Sequence, residues 1–330
     1  MKDKIINNIK KYNLIENGDK VIVGVSGGPD SISLLDVLLK IKKEEIINFN
    51  LIVCHVNHMI RKEAGDDEEY VKNYCKKNNI AFYSKKIEVE KIAKQEKIGT
   101  EEAGRKERYN FFYDILKKEN ANKIATAHTK NDNVETVLMN IIRGSSTSGL
   151  VGIEPIREKL IRPLFNCERK EIEKYCKENN LNPRIDKTNF ENTYTRNKIR
   201  NMLIPYIQQN FNPNIIDSIS RLSSLAKEEN KYMENTVIKY FQDLKIEDKE
   251  IEGNVIVLDL KKFNSLEGVI KNRIVLYTIN VLLGTRKGIE KKNIDDIIKL
   301  CSNNIGNKFL IPTKGLKILV KSKKIFFIPM

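Results

Sequence analysis

Tryptophan is absent from this 330-residue chain, and cysteine is scarce, with five copies. No two cysteines form the Cys-x-x-Cys spacing typical of zinc ribbons and many iron–sulfur sites, so we expect neither zinc nor an Fe–S cluster. Scattered cysteines fit a reducing compartment, and we expect a cytoplasmic protein. The chain has no run of about 18 apolar residues and no apolar signal-peptide core near its first residue, so we expect no membrane association.

Acidic residues are outnumbered, and the formal net charge is +15 at pH 7 with a pI of about 9.3. Residues 241–330 carry 17 Lys and Arg against 10 Asp and Glu, so this last segment is the more basic for its length. Such a surplus favours a polyanionic partner such as RNA, although it also serves solubility.

Short apolar runs alternate with helical patterns over the first 150 residues. This alternation predicts an α/β fold with a doubly wound parallel sheet and helices on both faces. We expect a catalytic domain over residues 1–212, a helical linker over 213–244 and a small, basic α+β domain over 245–330 that binds RNA. The predicted strands of the sheet are Val21–Val25, Leu51–Val56, Ile80–Lys86 and Lys123–Ala127.

A glycine-rich turn, Ser26-Gly-Gly-Pro-Asp-Ser31, follows the first predicted strand and opens a helix. Such a strand, glycine turn and helix N-terminus bind phosphate groups, because backbone N–H groups and the helix dipole both face the anion. Pro29 fits the first helical position, and Asp30 is suited to the dipole or to a metal ion. No lysine follows the glycines, so this is not a Walker loop. An ordinary tight turn is the alternative.

All three histidines, His55, His58 and His128, lie at the ends of predicted strands. The carboxyl ends of parallel strands carry the ligand sites of such sheets. In the following helix, Asp132 and Glu135 are three residues apart and share a face. Two convergent carboxylates can bind a divalent metal or a cationic substrate, and helix capping is the alternative.

Basic residues recur in three segments. Arg105 and Arg108 lie on the helix that begins near Thr100, where they are suited to ATP phosphates or to an RNA backbone, unless they only pair with nearby glutamates. Arg196, Lys198 and Arg200 form a basic helix end suited to phosphates. Arg143 begins a flexible Gly/Ser loop, up to Leu150, that could close over a ligand.

Together these motifs resemble the tRNA(Ile)-lysidine synthetase family of the N-type ATP pyrophosphatases, or PP-loop superfamily. The resemblance extends from about Lys20 to Asn212, and more loosely to the end of the chain. The sequence departs from the family pattern at Thr129 and Asn131. The matching motifs are SGGPDS, HVNHMIR, EEAGRKERY, AHTKNDNVET, IRPL and TRNKIR.

The resemblance implies an enzyme, a ligase that joins L-lysine to C2 of the wobble cytidine of tRNA(Ile) with a CAU anticodon. ATP would first adenylate the C2 carbonyl oxygen and release pyrophosphate. The alternatives are another PP-loop tRNA-modifying enzyme, such as a thiolase, and a non-catalytic RNA-binding protein. The sequence leaves open whether the protein forms a homodimer.

The resemblance also implies roles for single residues. Asp30, Arg108, Asp132 and Glu135 would be catalytic, with Asp132 and Glu135 holding the lysine and Asp30 near Mg²⁺. The expected tRNA contacts are Arg143, Arg196, Lys198 and Arg200. The expected ATP-binding residues are Ser26, Gly27, Gly28, Pro29, Asp30, Ser31, His55 and His128.

Overall fold

The protein is described by a computed structural model, which covers residues 1–59, 64–184, 194–247, 254–286, 288–303 and 308–330. The chain forms two compact units, Met1–Lys227 and Glu228–Met330, and each is described by itself. The boundary lies within one helix. None of the helices in the described ranges is both long and apolar enough to cross a membrane.

The first unit is built on a six-stranded sheet in the order β3-β2-β1-β4-β6-β5, which confirms the predicted α/β class. All neighbouring strands are parallel except β5, which is antiparallel to β6. The sequence did not predict this last hairpin. The strands are β1 (Lys20–Gly24), β2 (Asn50–Asn57), β3 (Ala81–Lys86), β4 (Lys123–Ala125), β5 (Ile156–Arg157) and β6 (Leu160–Ile161).

Helices cover both faces of this sheet, and residues 199–203 form a π-helical turn between two of them. The helices are α1 (Lys2–Tyr12), α2 (Pro29–Lys43), α3 (Ala64–Lys77), α4 (Val89–Glu96), α5 (Thr100–Lys118), α6 (Lys130–Ile142), α7 (Arg169–Glu178), α8 (Thr195–Lys198), α9 (Ile204–Asn210) and α10 (Ile215–Leu244), with a 3₁₀ turn at Thr147–Val151.

The core lies where β1 meets α2 and α5. Val21, Ile22 and Val23 have no exposed surface, which is typical of a central parallel strand covered on both faces. Helix α5 packs so tightly on β1 that a Cβ atom on Gly24 would lie 2.6 Å from Cζ of Phe112. Only glycine permits this approach. The packing fixes the end of β1, and with it the start of the glycine-rich loop.

The strand order reverses at β1, because β2 and β3 lie on one side of it and β4 and β6 on the other. In open α/β sheets, ligands bind beyond the carboxyl ends of the strands at this reversal. The loops after β1, β4 and β6 therefore meet at the edge where a site is expected.

The second unit contains a four-stranded sheet in the order β7-β10-β9-β8, and all its pairs are antiparallel. Buried Leu316, Ile318 and Val320 alternate with more exposed residues in β9, so one face carries the core. The elements are β7 (Ile256–Asp259), α11 (Leu260–Ser265), α12 (Gly268–Leu283), α13 (Lys291–Ser302), β8 (Lys308–Thr313), β9 (Leu316–Lys321) and β10 (Lys324–Pro329).

Candidate active site

The glycine-rich loop joins β1 to α2 as the sequence predicts. Gly27 has a φ of 93°, a conformation that a residue with a side chain rarely adopts. Gly28 is the N-cap of α2 and Pro29 its first residue. The hydroxyl of Ser31 lies 3.2 Å from that of Ser26 and donates to the Gly28 carbonyl at 3.0 Å. The loop is therefore pre-shaped, and its helix N-terminus can hold an anion.

Asp30 occupies the first turn of α2, and its Oδ1 atom is buried with no hydrogen-bond partner in the described residues. Burial, together with repulsion from Asp132, raises the pKa of this carboxyl to about 6. A buried carboxylate oxygen without a partner fits a cation ligand. No group of three His, Cys, Asp or Glu side chains suited to a metal occurs among the described residues. A magnesium ion here would need oxygen atoms from a bound phosphate, which is how Mg²⁺ is usually held.

The histidines differ in their surroundings. His55 lies inside β2, not after it, and its buried ring donates from Nδ1 to the Val25 carbonyl at 2.9 Å. It thus ties β2 to the residue that precedes Ser26. His58 follows β2, and its buried Nδ1 has no described partner. Burial lowers the pKa of His58 to about 4.

His128 lies beyond β4, where its Nδ1 is 2.9 Å from the Thr126 hydroxyl. Burial, and the nearby arginines that include Arg162, lower the pKa of His128 to about 3, so the ring is neutral at physiological pH. A neutral ring can accept or donate one hydrogen bond at this edge.

Thr129 is the N-cap of α6 and forms a reciprocal cap with Asp132, whose Oδ2 accepts from the backbone N–H of Thr129 at 2.8 Å. This is the capping role that the sequence left open. The departure from the family pattern at Thr129 therefore has a structural use. Asn131 accepts from the backbone N–H of Arg169 through Oδ1 at 3.0 Å.

Asp132 and Glu135 also form a buried ion-pair cluster with two arginines. Arg196 lies 2.8 Å from Glu135 through Nε and 3.1 Å from Asp132 Oδ1 through Nη2. Arg200 lies 2.6 Å from Glu135 through Nε and 3.2 Å from Asp132 Oδ1 through Nη2. Burial acts to raise the pKa of Asp132, but the charge of Arg196 holds it below its ordinary value.

The structure thus brings Asp132 and Glu135 together, and it places two of the four predicted tRNA contacts against them. Arg196 precedes the π-helical turn and Arg200 lies in it, and both guanidinium groups point inward. The other two, Lys198 and Arg143, are exposed. Arg61, which the motif analysis included, lies outside the described residues.

Arg162 is a residue that the sequence analysis quoted in the IRPL motif without assigning it a role. It follows β6 directly and is 5% exposed. Its Nε is buried without a described partner, and Nη1 donates to the Glu154 carbonyl. Three unpartnered buried polar atoms, on Asp30, His58 and Arg162, thus follow the carboxyl ends of β1, β2 and β6. Buried polar groups without protein partners call for a further partner, such as a ligand, an ion or a water molecule.

Comparisons with known proteins agree with this geometry. The PP-loop domain family matches residues 1–207. The chain is 43% identical over 325 residues to a tRNA(Ile)-lysidine synthase of Clostridioides difficile, covering 98% of this chain and 69% of that protein. It is 45% identical over 317 residues to that of Clostridium tetani, covering 95% and 66%. The chain therefore spans about two thirds of the length of these curated relatives.

Among solved structures, the U34-tRNA thiolase NcsA from Methanococcus maripaludis superposes with a TM-score of 0.57 at 21% identity, over 68% of this chain and 78% of that one. Identity this low shows a shared fold alone. The first unit thus contains a PP-loop domain over residues 1–207, of a family that uses ATP. The chain belongs to the tRNA(Ile)-lysidine synthase family, whose members are ligase-type enzymes that modify tRNA.

Proposed function

We propose that the protein ligates L-lysine to C2 of the wobble cytidine of tRNA(Ile) with a CAU anticodon, and forms AMP and pyrophosphate from ATP. The observation that supports this most is the buried pair Asp132 and Glu135 at the edge that carries the glycine-rich loop. Asp30 in that loop interacts electrostatically with both carboxylates, so the phosphate-binding and cation-binding parts belong to one site.

The first step needs the ATP phosphates held and their charge neutralised. The backbone of Gly27 and Gly28 and the hydroxyls of Ser26 and Ser31 would hold the pyrophosphate part of ATP at the N-terminus of α2. Asp30 would hold Mg²⁺ together with those phosphates, and the ion would stabilise charge on the leaving pyrophosphate. His55 would stabilise the start of the loop through its hydrogen bond to the Val25 carbonyl. His128 is proposed to contact the nucleotide.

Arg108 is proposed to stabilise negative charge that develops at the α-phosphate or on the cytosine. Burial lowers the pKa of its guanidinium, and the charges of Arg105 and Arg196 act in the same direction. An anion that binds beside Arg108 would stabilise the charged guanidinium, because it offsets the repulsion from Arg105 and Arg196.

The second step needs a lysine amine without its proton. An ordinary lysine ammonium has a pKa of about 10.4, so attack requires deprotonation at the site. Asp132 and Glu135 would bind the ammonium, and this would bring its nitrogen toward the activated carbon. Arg196 and Arg200 occupy these carboxylates in the structure, so the lysine must share or displace them.

The basic unit from residue 245 onward is proposed to dock tRNA, together with Arg143 and Lys198. Its sheet offers Lys317 over the ring of Phe309 at 4.7 Å, an arrangement suited to RNA. A thiolase reaction has no support, because all five cysteines are buried and burial raises the pKa of Cys54, Cys75 and Cys301 to about 12.

Pyrophosphate release tests this function directly. Because adenylation precedes lysine attack, release should require ATP and tRNA(Ile), and AMP release should require lysine as well. AMP release driven by sulfide or ammonia in place of lysine, or pyrophosphate release without tRNA, would contradict the proposal.

A further inference from the structure

Arg162 lies on the ligand edge of the sheet, but not at the glycine-rich loop. Strand β6 runs parallel to β4, and the backbone N–H of Thr126 donates to the Ile161 carbonyl at 3.0 Å. Arg162 therefore leaves the sheet beside the loop that carries His128. Two strand spacings of about 4.8 Å separate it from β1, so it is about 10 Å from the end of the strand that bears the phosphate loop.

Arg162 is buried, yet few groups around it compensate its positive charge. The hydrogen-bond partner that the structure describes is neutral, because the Glu154 carbonyl accepts from Nη1. No carboxylate forms an ion pair with it among the residues that the structure describes, and Nε has no described partner. A buried, unpaired guanidinium is costly, and proteins retain one where an anion completes it.

Two other arginines, Arg105 and Arg157, act electrostatically on Arg162 and add to this positive potential. Arg105 and Arg108 lie over the Tyr109 ring, 5.8 and 5.7 Å from its centroid. Burial lowers the pKa of the Arg162 guanidinium, and the charges of Arg105 and Arg157 contribute. Arg105 and Arg157 are exposed, whereas Arg162 is buried. These four residues, Arg105, Arg108, Arg157 and Arg162, form an arginine track that extends from the surface inward.

We propose that Arg162 binds a phosphodiester group of the RNA beside the target cytidine, with the exposed members of the arginine track, Arg105 and Arg157, receiving the neighbouring backbone. The inference rests on the proposed function, because that function brings an anticodon loop to this edge. A track that extends to the surface suits a polymer such as RNA, whereas the proposed function already assigns ATP to the loop after β1. The planar guanidinium can donate two parallel hydrogen bonds to one phosphate.

The test measures the binding of an anticodon stem-loop RNA to the full chain. Fluorescence anisotropy gives the affinity at salt concentrations between about 50 and 200 mM. Arg162→Gln should weaken binding about tenfold. It should also make the slope of log K against log salt shallower by about 0.7, the value for one phosphate contact on a single strand. The KM for ATP should change less than about twofold. Arg162→Lys should keep the salt slope and lose part of the RNA affinity. Lysine keeps the positive charge but cannot donate two parallel hydrogen bonds to one phosphate.

Lys159→Gln is the matched control. Lys159 is exposed in the turn between β5 and β6. The variant therefore loses one positive charge and leaves the ligand edge of the sheet unchanged. Its RNA affinity should stay within about twofold of the parent chain.

Two outcomes would overturn the inference. Unchanged RNA affinity with a raised KM for ATP would assign Arg162 to the nucleotide. Unchanged RNA affinity with lower stability would show that Arg162 has only a structural role, through its hydrogen bond to the Glu154 carbonyl. If Arg162→Gln does not fold, Arg162→Lys decides, because unaltered RNA affinity in that variant also overturns the inference. A parent chain that binds the stem-loop through Arg162 and yet makes no lysidine would contradict only the proposed function.

Discussion

Arg196 Nε lies 2.8 Å from Glu135 Oε2, although the two residues are 61 positions apart in the chain. This contact joins α8 to α6 and neutralises a carboxylate that is 1% exposed. It means that the pair Asp132 and Glu135 is charge-balanced before any substrate binds. A lysine ammonium bound there, as proposed above, would enter a site that already holds two cations and would have to share or displace Arg196 and Arg200.

Asp132→Asn should raise the KM for lysine at least tenfold and leave the KM for ATP within about twofold. The substitution removes the negative charge but keeps a side chain that can cap α6, so the fold should survive. Steady-state kinetics with each substrate varied in turn measures this. Asp114→Asn, a change at an exposed position of α5, is the control and should alter neither constant. A rise in the KM for ATP with lysine unaffected would show that Asp132 does not hold the amine.

Asp30→Asn should stabilise the protein above pH 6 while it abolishes adenylation. The pKa of Asp30 is raised from 3.8 to about 6 in the folded chain, so the folded state binds more protons than the unfolded state between these values. Stability therefore falls as pH rises through this window, and about 3 kcal/mol is lost at higher pH. Asparagine cannot ionise and escapes this loss.

Urea unfolding at pH 4 and pH 8 measures the effect of Asp30→Asn. We expect the variant to gain up to about 3 kcal/mol over the parent at pH 8 and little at pH 4, since Asn replaces a neutral acid there. A variant that is less stable than the parent at pH 8 would show that the ionised carboxylate has a favourable partner.

The two loop glycines should respond differently to alanine. Gly27 has a φ of 93°, so Gly27→Ala should cost about 1–2 kcal/mol of folding free energy. Gly28 has a φ of −75°, and a Cβ there meets no atom closer than 3.6 Å, so Gly28→Ala should fold normally. Its methyl group would fill space that a phosphate needs.

Thermal unfolding and a nucleotide-binding assay separate these effects. Gly28→Ala, and the double variant with Ser26→Ala, should lose ATP binding at nearly unchanged Tm and keep most of their tRNA affinity. A parallel loss of tRNA affinity would mean that the loop also contacts RNA.

The outer face of the second unit should carry part of the tRNA affinity. Lys317 and Lys321 alternate with the buried residues of β9, and Lys323 lies in the following turn. Changing these three lysines to glutamine should make the salt slope of tRNA binding shallower by about 2, because three phosphate contacts are lost. The control changes Lys291, Lys292 and Lys299 on α13. Equal effects of both triple variants would show diffuse attraction and no docking face.

The sequence predicted the parallel sheet and the phosphate loop because their signals are local. The apolar run Val21–Val23 identifies a buried strand, and the glycines and Pro29 mark the turn and the helix start. The hairpin of β5 and β6 was missed because strands of two residues, such as Leu160–Ile161, have no measurable periodicity. The start of α5 near Thr100 was predicted correctly.

The ion-pair cluster could not be predicted, because its members come from segments that tertiary packing alone brings together. The spacing of Asp132 and Glu135 indicated a shared face, but nothing local indicated that Arg196 and Arg200 face them. Their sequence pattern, basic residues at a helix end, is the same for a phosphate site and for a buried ion pair. Arg162 was similarly hidden, because a single arginine after a short strand carries no periodic signal.

Mass spectrometry of nucleosides from purified tRNA(Ile), after incubation with the protein, ATP and isotopically labelled lysine, tests the central claim most directly. The account predicts that the wobble cytidine gains the mass of lysine less one water, that the label enters only with ATP present, and that tRNA(Met) with the same anticodon stays unmodified. An unmodified wobble cytidine, or one that gains sulfur in place of lysine, would contradict it.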